Sequence, residues 1–325
     1  MLDRYGREID YMRISVTDRC NLRCRYCMPE PIDALGHGEI LRYEEILRIC
    51  RTASELGIRK FKVTGGEPLV RADCVSFIAA LKRQSGTEQV TLTTNGLLLG
   101  KNLDALAAAG LDGINISLDS LNAERYTRIS GHPESEELLK RIMQAVEDAC
   151  AMGLRTKLNA VLLEETEEDV PELASIAEEL PVDVRFIELM PIGFGAAMRR
   201  VSPDDILSAL RERWPDLAPT DERRGNGPAH YYKSDLLLGR IGFIDAVSHK
   251  FCADCNRVRL TSTGQLKPCL CYADSADLRT LIRSGCTDDE LREALKISIY
   301  NKPRAHCFDT GAAVTERHAM SQIGG

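Results

Sequence analysis

Six short runs of β-branched or alternating residues, separated by helical stretches, constrain the fold of this 325-residue chain more than any other feature. They are YMRISVT (11–17), IRKFKVT (58–64), QVTLTT (89–94), GINISL (113–118), RTKLNAVL (155–162) and VDVRFIEL (182–189). Between them, 42–56 carries Ile46, Ile49, Cys50, Ala53 and Leu56 on one face and stops at Gly57. Likewise 136–152 carries Leu138, Leu139, Ile142, Val146 and Ala149 and stops at Gly153. Ser202, Pro203 and Asp205 read as the N-cap, first-turn proline and capping acid of a helix reaching about Arg213. The acidic stretch 164–179, with Leu173, Ile176 and Leu180 at helical spacing, reads as a helix with a solvated face. Strands alternating with helices imply parallel βα units. Six such units make a partial or full barrel, whose chemistry sits at the C-terminal strand ends. The polar and glycine-rich words fall there: TDRCN, TGGEP, TNG and SLDS after the first four strands and ELMPIG after the sixth.

Past Trp214 the texture changes to PDLAPTDERRGNGPA, a connection rich in proline and glycine. The division expected is 1–230 for the barrel and 231–325 for a second region. A net charge of −7 argues against a protein that coats nucleic acid, since that affinity rests on neutralising many phosphates, but leaves room for a local basic pocket. One Trp and 5% aromatics supply no stacking platform for single strands. No apolar run is long enough for a membrane span, and MLDRYGREID lacks the basic-then-apolar pattern of a signal peptide, so the expected location is the cytoplasm, with no membrane partner.

Twelve cysteines in such a chain point to metal or redox chemistry rather than to disulfides. CNLRCRYC places Cys20, Cys24 and Cys27 in C-x3-C-x2-C spacing directly after the first strand. Four thiolates close a zinc site or complete an ordinary iron–sulfur cluster; three on a four-iron cluster leave one iron open to a substrate or cofactor. A zinc site with a distant fourth ligand is the alternative. GGEP (65–68) is either a plain turn or a place where glycine backbone approaches a ligand closely. FCADCNRVRL and LKPC give a second set, Cys252, Cys255 and Cys269, for which Cys271 is a possible fourth thiolate of a zinc-ribbon-like site. Arg257 and Arg259 alternate on one run and so share a face, which suits a phosphate clamp or a solvated edge. Cys50 and Cys150 lie on apolar helix faces and, with Cys74, Cys286 and Cys307, read as structural; no histidine is assigned to metal.

C-x3-C-x2-C after a first barrel strand, Tyr26 before its last cysteine and GGEP after the second strand together resemble the radical S-adenosylmethionine superfamily. With LTTNGLLL, INISLDSL, RFIELMPIG, FCADCNRVRL and the IGG end, the chain resembles within it the cyclases of molybdenum-cofactor biosynthesis that act on GTP. The resemblance implies an incomplete (βα)6 barrel covered by a C-terminal region that holds a second cluster. It implies two [4Fe-4S] clusters, one on Cys20, Cys24 and Cys27 that generates a radical from S-adenosylmethionine, the other on Cys252, Cys255 and Cys269 that meets the guanine base. Tyr26, Gly66, Ser117 and Met190 would contact S-adenosylmethionine. Arg13, Lys62, Thr93, Lys157, Arg257 and Arg259 would hold GTP, with Lys60 and Arg185 as further cations. Gly324 and Gly325 would enter the active site, where a side chain would not fit. The implied product is 3',8-cyclo-7,8-dihydro-GTP, and the implied partners are an electron donor and a downstream cyclic pyranopterin monophosphate synthase; a homodimer is compatible with the sequence. Cys271 departs from the pattern and leaves open which thiol ligates. A radical maturase acting on a peptide and a non-catalytic metal-binding module are the competing readings.

Overall fold

The computed structural model describes residues 1–30, 35–36, 38–273, 275–308, 314–316 and 318–323. The six expected strands form as β1 (Tyr11–Ser15), β2 (Lys60–Thr64), β3 (Gln89–Thr94), β4 (Gly113–Ser117), β5 (Arg155–Leu162) and β6 (Asp183–Glu188). They pair in chain order, every neighbour parallel. The intervening helices are α1 (Tyr43–Glu55), α2 (Cys74–Lys82), α3 (Leu103–Ala108), α4 (Ala123–Ser130), α5 (Ser135–Ala151) and α6 (Val170–Glu179), followed by α7 (Pro203–Arg213). Ser202 caps α7 by accepting from the Asp205 amide at 3.3 Å, and Glu45 closes the start of α1 by accepting from the Arg42 amide at 2.7 Å.

The acidic stretch does not form one helix. Residues Glu164–Asp169 are a 3-10 turn, and α6 begins only at Val170. Pro171 cannot donate a backbone hydrogen bond, which suits it to a first turn. Asp169 is buried, accepting from Ser120 Oγ and Arg125 Nη1, so one acid of the stretch is structural rather than solvated.

Later strands complete the sheet on both edges. They are β7 (Ala218–Thr220), β8 (His230–Lys233), β9 (Ile241–Ile244), β10 (Arg257–Leu260), β11 (Gln265–Lys267) and β12 (Ala276–Asp277). β9 pairs parallel to β6, while β10 pairs parallel to β1. One twelve-stranded sheet results, in the order β12-β11-β10-β1-β2-β3-β4-β5-β6-β9-β8-β7. Helices α8 (Leu278–Arg283) and α9 (Asp288–Tyr300) then pack beside α1, and Arg283 Nε bonds the buried Glu45 at 2.9 Å. A short α10 (Met320–Ile323) ends the described chain. Among the described residues, no helix is long and apolar enough to cross a membrane.

The period of two along each strand sorts side chains between two faces. Met12, Ile14, Phe61, Val63, Leu92, Ile114, Ile116, Leu158, Val184, Phe186 and Val258 are essentially fully buried in the layer against the helices. The residues alternating with them, among them Arg13, Lys62, Thr93, Asn115, Asn159, Arg185, Arg257 and Arg259, line a central cavity of about 250 Å³. A closed (βα)8 barrel fills its interior with apolar layers. This open barrel has polar and cationic residues there instead, so its interior is built to receive a ligand.

Candidate active site

The first cysteine set lies on the loop after β1, in backbone contact with the GGEP turn. The Gly66 amide donates to Thr17 O and the Glu67 amide to Arg19 O, both at 2.8 Å. A Cβ on Gly65 would stand 2.6 Å from Thr17 O, and one on Gly66 only 2.4 Å from Arg19 O. No real side chain tolerates such distances, so both glycines are required by the close approach of two backbone segments. Glycine there positions the cysteine loop, in addition to any role toward a ligand. Buried Glu67 secures the next strand end, accepting from Leu69 N at 3.0 Å, Thr94 Oγ1 at 2.9 Å and Asn95 N at 2.7 Å; burial still pushes its carboxyl up to about 7. Asn95 in turn donates to Asn21 Oδ1 at 2.7 Å, one residue beyond Cys20.

Cys20, Cys24 and Cys27 all line the central cavity. Within the loop, the Cys27 and Met28 amides both bond Cys24 O, at 2.9 and 2.8 Å. Burial raises all three thiols, Cys27 to about 12, and each feels the charge of a neighbouring cysteine or acid. Three half-buried thiols that oppose one another's ionisation need a shared cation to become thiolates. Tyr26 bonds Asp119 Oδ2 at 2.8 Å, while Asp119 Oδ1 accepts from the Val161 amide at 2.8 Å. The aromatic residue is thereby tied to the ends of β4 and β5. Gly66, Ser117 and Met190 line the same cavity.

Across the cavity floor, sheet register sets cations side by side. Arg259 pairs with Arg13, and Arg13 pairs with Lys62. Burial, then Arg185, Arg13, Lys157 and Arg257, push the Lys62 ammonium well below its usual range. Arg259 is lowered by burial and by Arg13 and Arg257. Arg185 is held by Asn159 Oδ1 at 2.9 and 2.6 Å. Such mutual repulsion is relieved by a polyanion. Two expected cations stand apart from this row. Lys157 lines an adjoining cavity and already bonds Asp183 Oδ2 at 2.8 Å and Tyr231 Oη at 2.9 Å. Lys60 bonds Asp10 Oδ2 at 2.6 Å and does not line the central cavity.

Of the second cysteine set, Cys252 and Cys255 precede β10 and Cys269 follows β11. Cys252 accepts from the His306 amide at 3.4 Å, and its thiol is raised by burial and by the charges of Cys255 and Cys269. Burial raises the Cys255 thiol, but Lys302 and Arg257 more than reverse it and leave it at about 7. Lys302 is buried and donates to Arg257 O at 2.9 Å and Pro268 O at 2.5 Å. Cys271 is turned the other way: its Sγ lies 2.8 Å from that of Cys307 and accepts from the Cys307 amide at 3.3 Å. Gly324 and Gly325 lie outside the described residues; shortly before them, Met320 and Ser321 line the central cavity, Ser321 beside Cys27.

Sequence reasoning passed over several of these groups. Asn95 and Asp119 sat inside words already marked by position, TNG and SLDS, and their polar side chains at strand ends were the available signal. Asn159, Gly227 and Pro228 also line the cavity, the last two from the connection read only as a linker. Lys302, in NKPR, carried no pattern that set it apart.

Thiols on the loop after β1, a glycine turn clamping that loop and a polar barrel interior define a radical S-adenosylmethionine barrel. The Radical SAM superfamily matches residues 14–177, and Molybdenum Cofactor Synthesis C matches residues 182–308. In fold, the chain is similar to SuiB of Streptococcus suis, solved bound to S-adenosylmethionine, with a TM-score of 0.65 at 15% identity over 97% of this chain and 78% of that one. It is 41% identical over 327 residues to the GTP 3',8-cyclase of Clostridium perfringens (strain 13 / Type A), and 43% identical over 332 residues to that of Heliobacterium modesticaldum, in each case across 100% of both chains. The chain belongs to the GTP 3',8-cyclase family of radical S-adenosylmethionine enzymes. Superfamily membership brings with it S-adenosylmethionine and a [4Fe-4S] cluster, and the mutually opposed thiols at Cys20, Cys24 and Cys27 are a donor set that fits one.

Proposed function

We propose that this protein converts GTP to 3',8-cyclo-7,8-dihydro-GTP in molybdenum-cofactor biosynthesis, using the two cysteine sets as seats for two [4Fe-4S] clusters. The observation that carries the reading is one cavity lined at one end by Cys20, Cys24 and Cys27 and elsewhere by Lys62, Arg13, Arg257 and Arg259. When bound, the first cluster and S-adenosylmethionine supply the radical chemistry that removes hydrogen from the ribose C3'. The protein's own task is placement. Tyr26, Gly66, Ser117 and Met190 line the side of the cavity near the first cysteine set and would hold S-adenosylmethionine. Arg13, Lys62, Thr93, Arg257 and Arg259 would fix the triphosphate and ribose, because charge-assisted contacts restrict orientation as well as attract. Lys157 would join them only by exchanging Asp183 for a phosphate oxygen.

Cys252, Cys255 and Cys269 would hold the second cluster, facing the guanine base. The engagement of Cys271 with Cys307 supports Cys269 as the third ligand, and Lys302 supports thiolate at Cys255. Functionally the chain would divide near residue 230, with 1–230 making the radical and 231–325 presenting the substrate and the Gly324–Gly325 tail. An electron donor would reduce the first cluster, and a separate cyclic pyranopterin monophosphate synthase would consume the product; a homodimer is compatible with this scheme.

The test is an anaerobic reaction of iron-sulfide-reconstituted protein with S-adenosylmethionine, a reductant and GTP, followed by mass spectrometry. The reading requires GTP-dependent 5'-deoxyadenosine together with cyclised nucleotide, and transfer of label from GTP deuterated at C3' into 5'-deoxyadenosine. 5'-Deoxyadenosine without any change in GTP would retain the first site and reject the substrate.

A further inference from the structure

Outside the central cavity, two imidazoles converge on one buried carboxylate. His230 on β8, Asp245 just after β9 and His249 in the following turn all line a separate cavity of about 310 Å³, with Asp204 from the first turn of α7 on its wall. His230 Nε2 lies 3.4 Å and His249 Nδ1 3.3 Å from the same atom, Asp245 Oδ2. The Asp245 side chain is only 4% exposed, whereas the two histidine side chains are 47% and 59% exposed. Asp245 Oδ1 is buried with no hydrogen-bond partner. Glu188, a further nearby acid, is already engaged by the Val247 and Ser248 amides at 2.7 and 2.8 Å and by Ser248 Oγ at 2.6 Å.

Both nitrogen–oxygen distances are long for charge-assisted hydrogen bonds, which settle at about 2.7–2.9 Å. They match the spacing of neighbouring ligands around one ion: tetrahedral bonds of about 2.0–2.1 Å place donor atoms about 3.3–3.4 Å apart. An unpartnered buried carboxylate oxygen is costly, and a cation beside the carboxylate would offset that cost. We propose that His230, Asp245 and His249 bind a divalent transition-metal ion of the zinc class, with Asp204 or water completing its coordination. Two imidazoles and a carboxylate suit zinc better than calcium or magnesium, which prefer oxygen alone. Among the described residues, no three such donors close round a single point as the side chains stand, the two cysteine sets included. The ion would therefore draw in the two half-exposed imidazoles, His230 turning against its ring contacts with Phe243 and Tyr232. The site would fasten the β8–β9 hairpin to the loop that runs from Asp245 to Cys252, and it does not depend on the reaction assigned to the central cavity.

The test uses the anaerobic holoprotein with its clusters in place, stripped of loosely held metal, titrated with zinc against a chromophoric chelator and examined by zinc X-ray absorption. Expected are one zinc per chain beyond that held by the His230→Ala/His249→Ala double variant, a first shell of nitrogen and oxygen at about 2.0–2.1 Å with imidazole scattering, and binding at least tenfold weaker, on the order of the 10–100-fold lost with a metal's supporting groups, in Asp245→Asn. Unchanged cluster absorbance in the milder His230→Gln and His249→Gln variants shows that fold is retained while zinc is lost. Zinc uptake equal in parent and double variant would overturn the proposal, as would a sulfur shell at about 2.3 Å, which would place the zinc on cysteine. No uptake at all would also overturn it and leave two ordinary histidine–aspartate contacts.

Discussion

The two cysteine sets have the same number of candidate ligands and opposite surroundings. The first is on a loop whose neighbours are acids: Asp119 lies under Tyr26, Glu67 under the glycine turn, and burial with mutual charge raises its thiols. The second lies against Lys302 and Arg257, which bring Cys255 down to about 7. Within the second set Cys252 is still raised by burial and by its neighbouring cysteines, so it is Cys255, beside Lys302 and Arg257, that holds thiolate more readily than the thiols of the first set. Arg257 also lines the central cavity together with Arg13 and Lys62, so one cation faces both the second set and the row on the cavity floor.

The largest expected effect breaks the comparison outright. Cys24→Ala should abolish reductive cleavage of S-adenosylmethionine, with 5'-deoxyadenosine at the no-reductant background. Cys269→Ala should leave uncoupled 5'-deoxyadenosine formation measurable and eliminate the cyclised product. Equal loss of both products in both variants would mean that the two sets do not divide the work.

Substrate charge comes next. Lys62→Met and Arg257→Ala should each lower kcat/KM for GTP by about 10–150-fold, the equivalent of roughly 1.5–3 kcal/mol for a lost charge-assisted contact. The uncoupled rate of S-adenosylmethionine cleavage should change little. Lys302→Met should separate cation from ligand: iron content falls by the second cluster alone, with the first cluster's signal retained in electron paramagnetic resonance spectra. Tyr26→Phe should have a smaller effect on the opposite side, slowing 5'-deoxyadenosine formation by about tenfold, or roughly 1.4 kcal/mol, because Asp119 Oδ2 loses its donor.

The smallest effect concerns the packing of the two regions. The hydrogen bond from Arg283, then that from the Arg42 amide and the charge of Arg283, lower the Glu45 carboxyl to about 2. A depressed carboxylate stabilises the fold above its unfolded value of about 4.3, and that contribution disappears as pH falls from there toward 2. Glu45→Gln should therefore lower the melting temperature at neutral pH and narrow its gap from the parent below about pH 4, as followed by circular dichroism.

Much of the architecture was legible because strand alternation is a local property. The strand runs at 89–94 and 155–162 coincide with β3 and β5, and the run at 11–17 overshoots β1 by two residues where the chain turns into the cysteine loop. The single acidic helix was misread because a proline and a buried acid interrupt it, and burial of Asp169 depends on Arg125, 44 residues earlier. At the site, residues in recognisable words were easy to nominate, and most of them line one cavity. Lys157 was expected at GTP from the family resemblance, and only the fold reveals that Asp183 and Tyr231 already engage it.

The sequence by itself determined the strand–helix alternation, the two cysteine spacings and the paired arginines, each written in residues close together, and membership of the family, written in short local words spread along the chain. Tertiary structure decided which charges meet. Parallel register placed Arg259, Arg13 and Lys62 in one row, contact between loops made the GGEP glycines obligatory, and packing turned Cys271 toward Cys307 and put Lys302 behind Cys255. The physical reason is that burial and electrostatics depend on distance in space. Residues far apart in the chain become neighbours only when the sheet curves around its cavity.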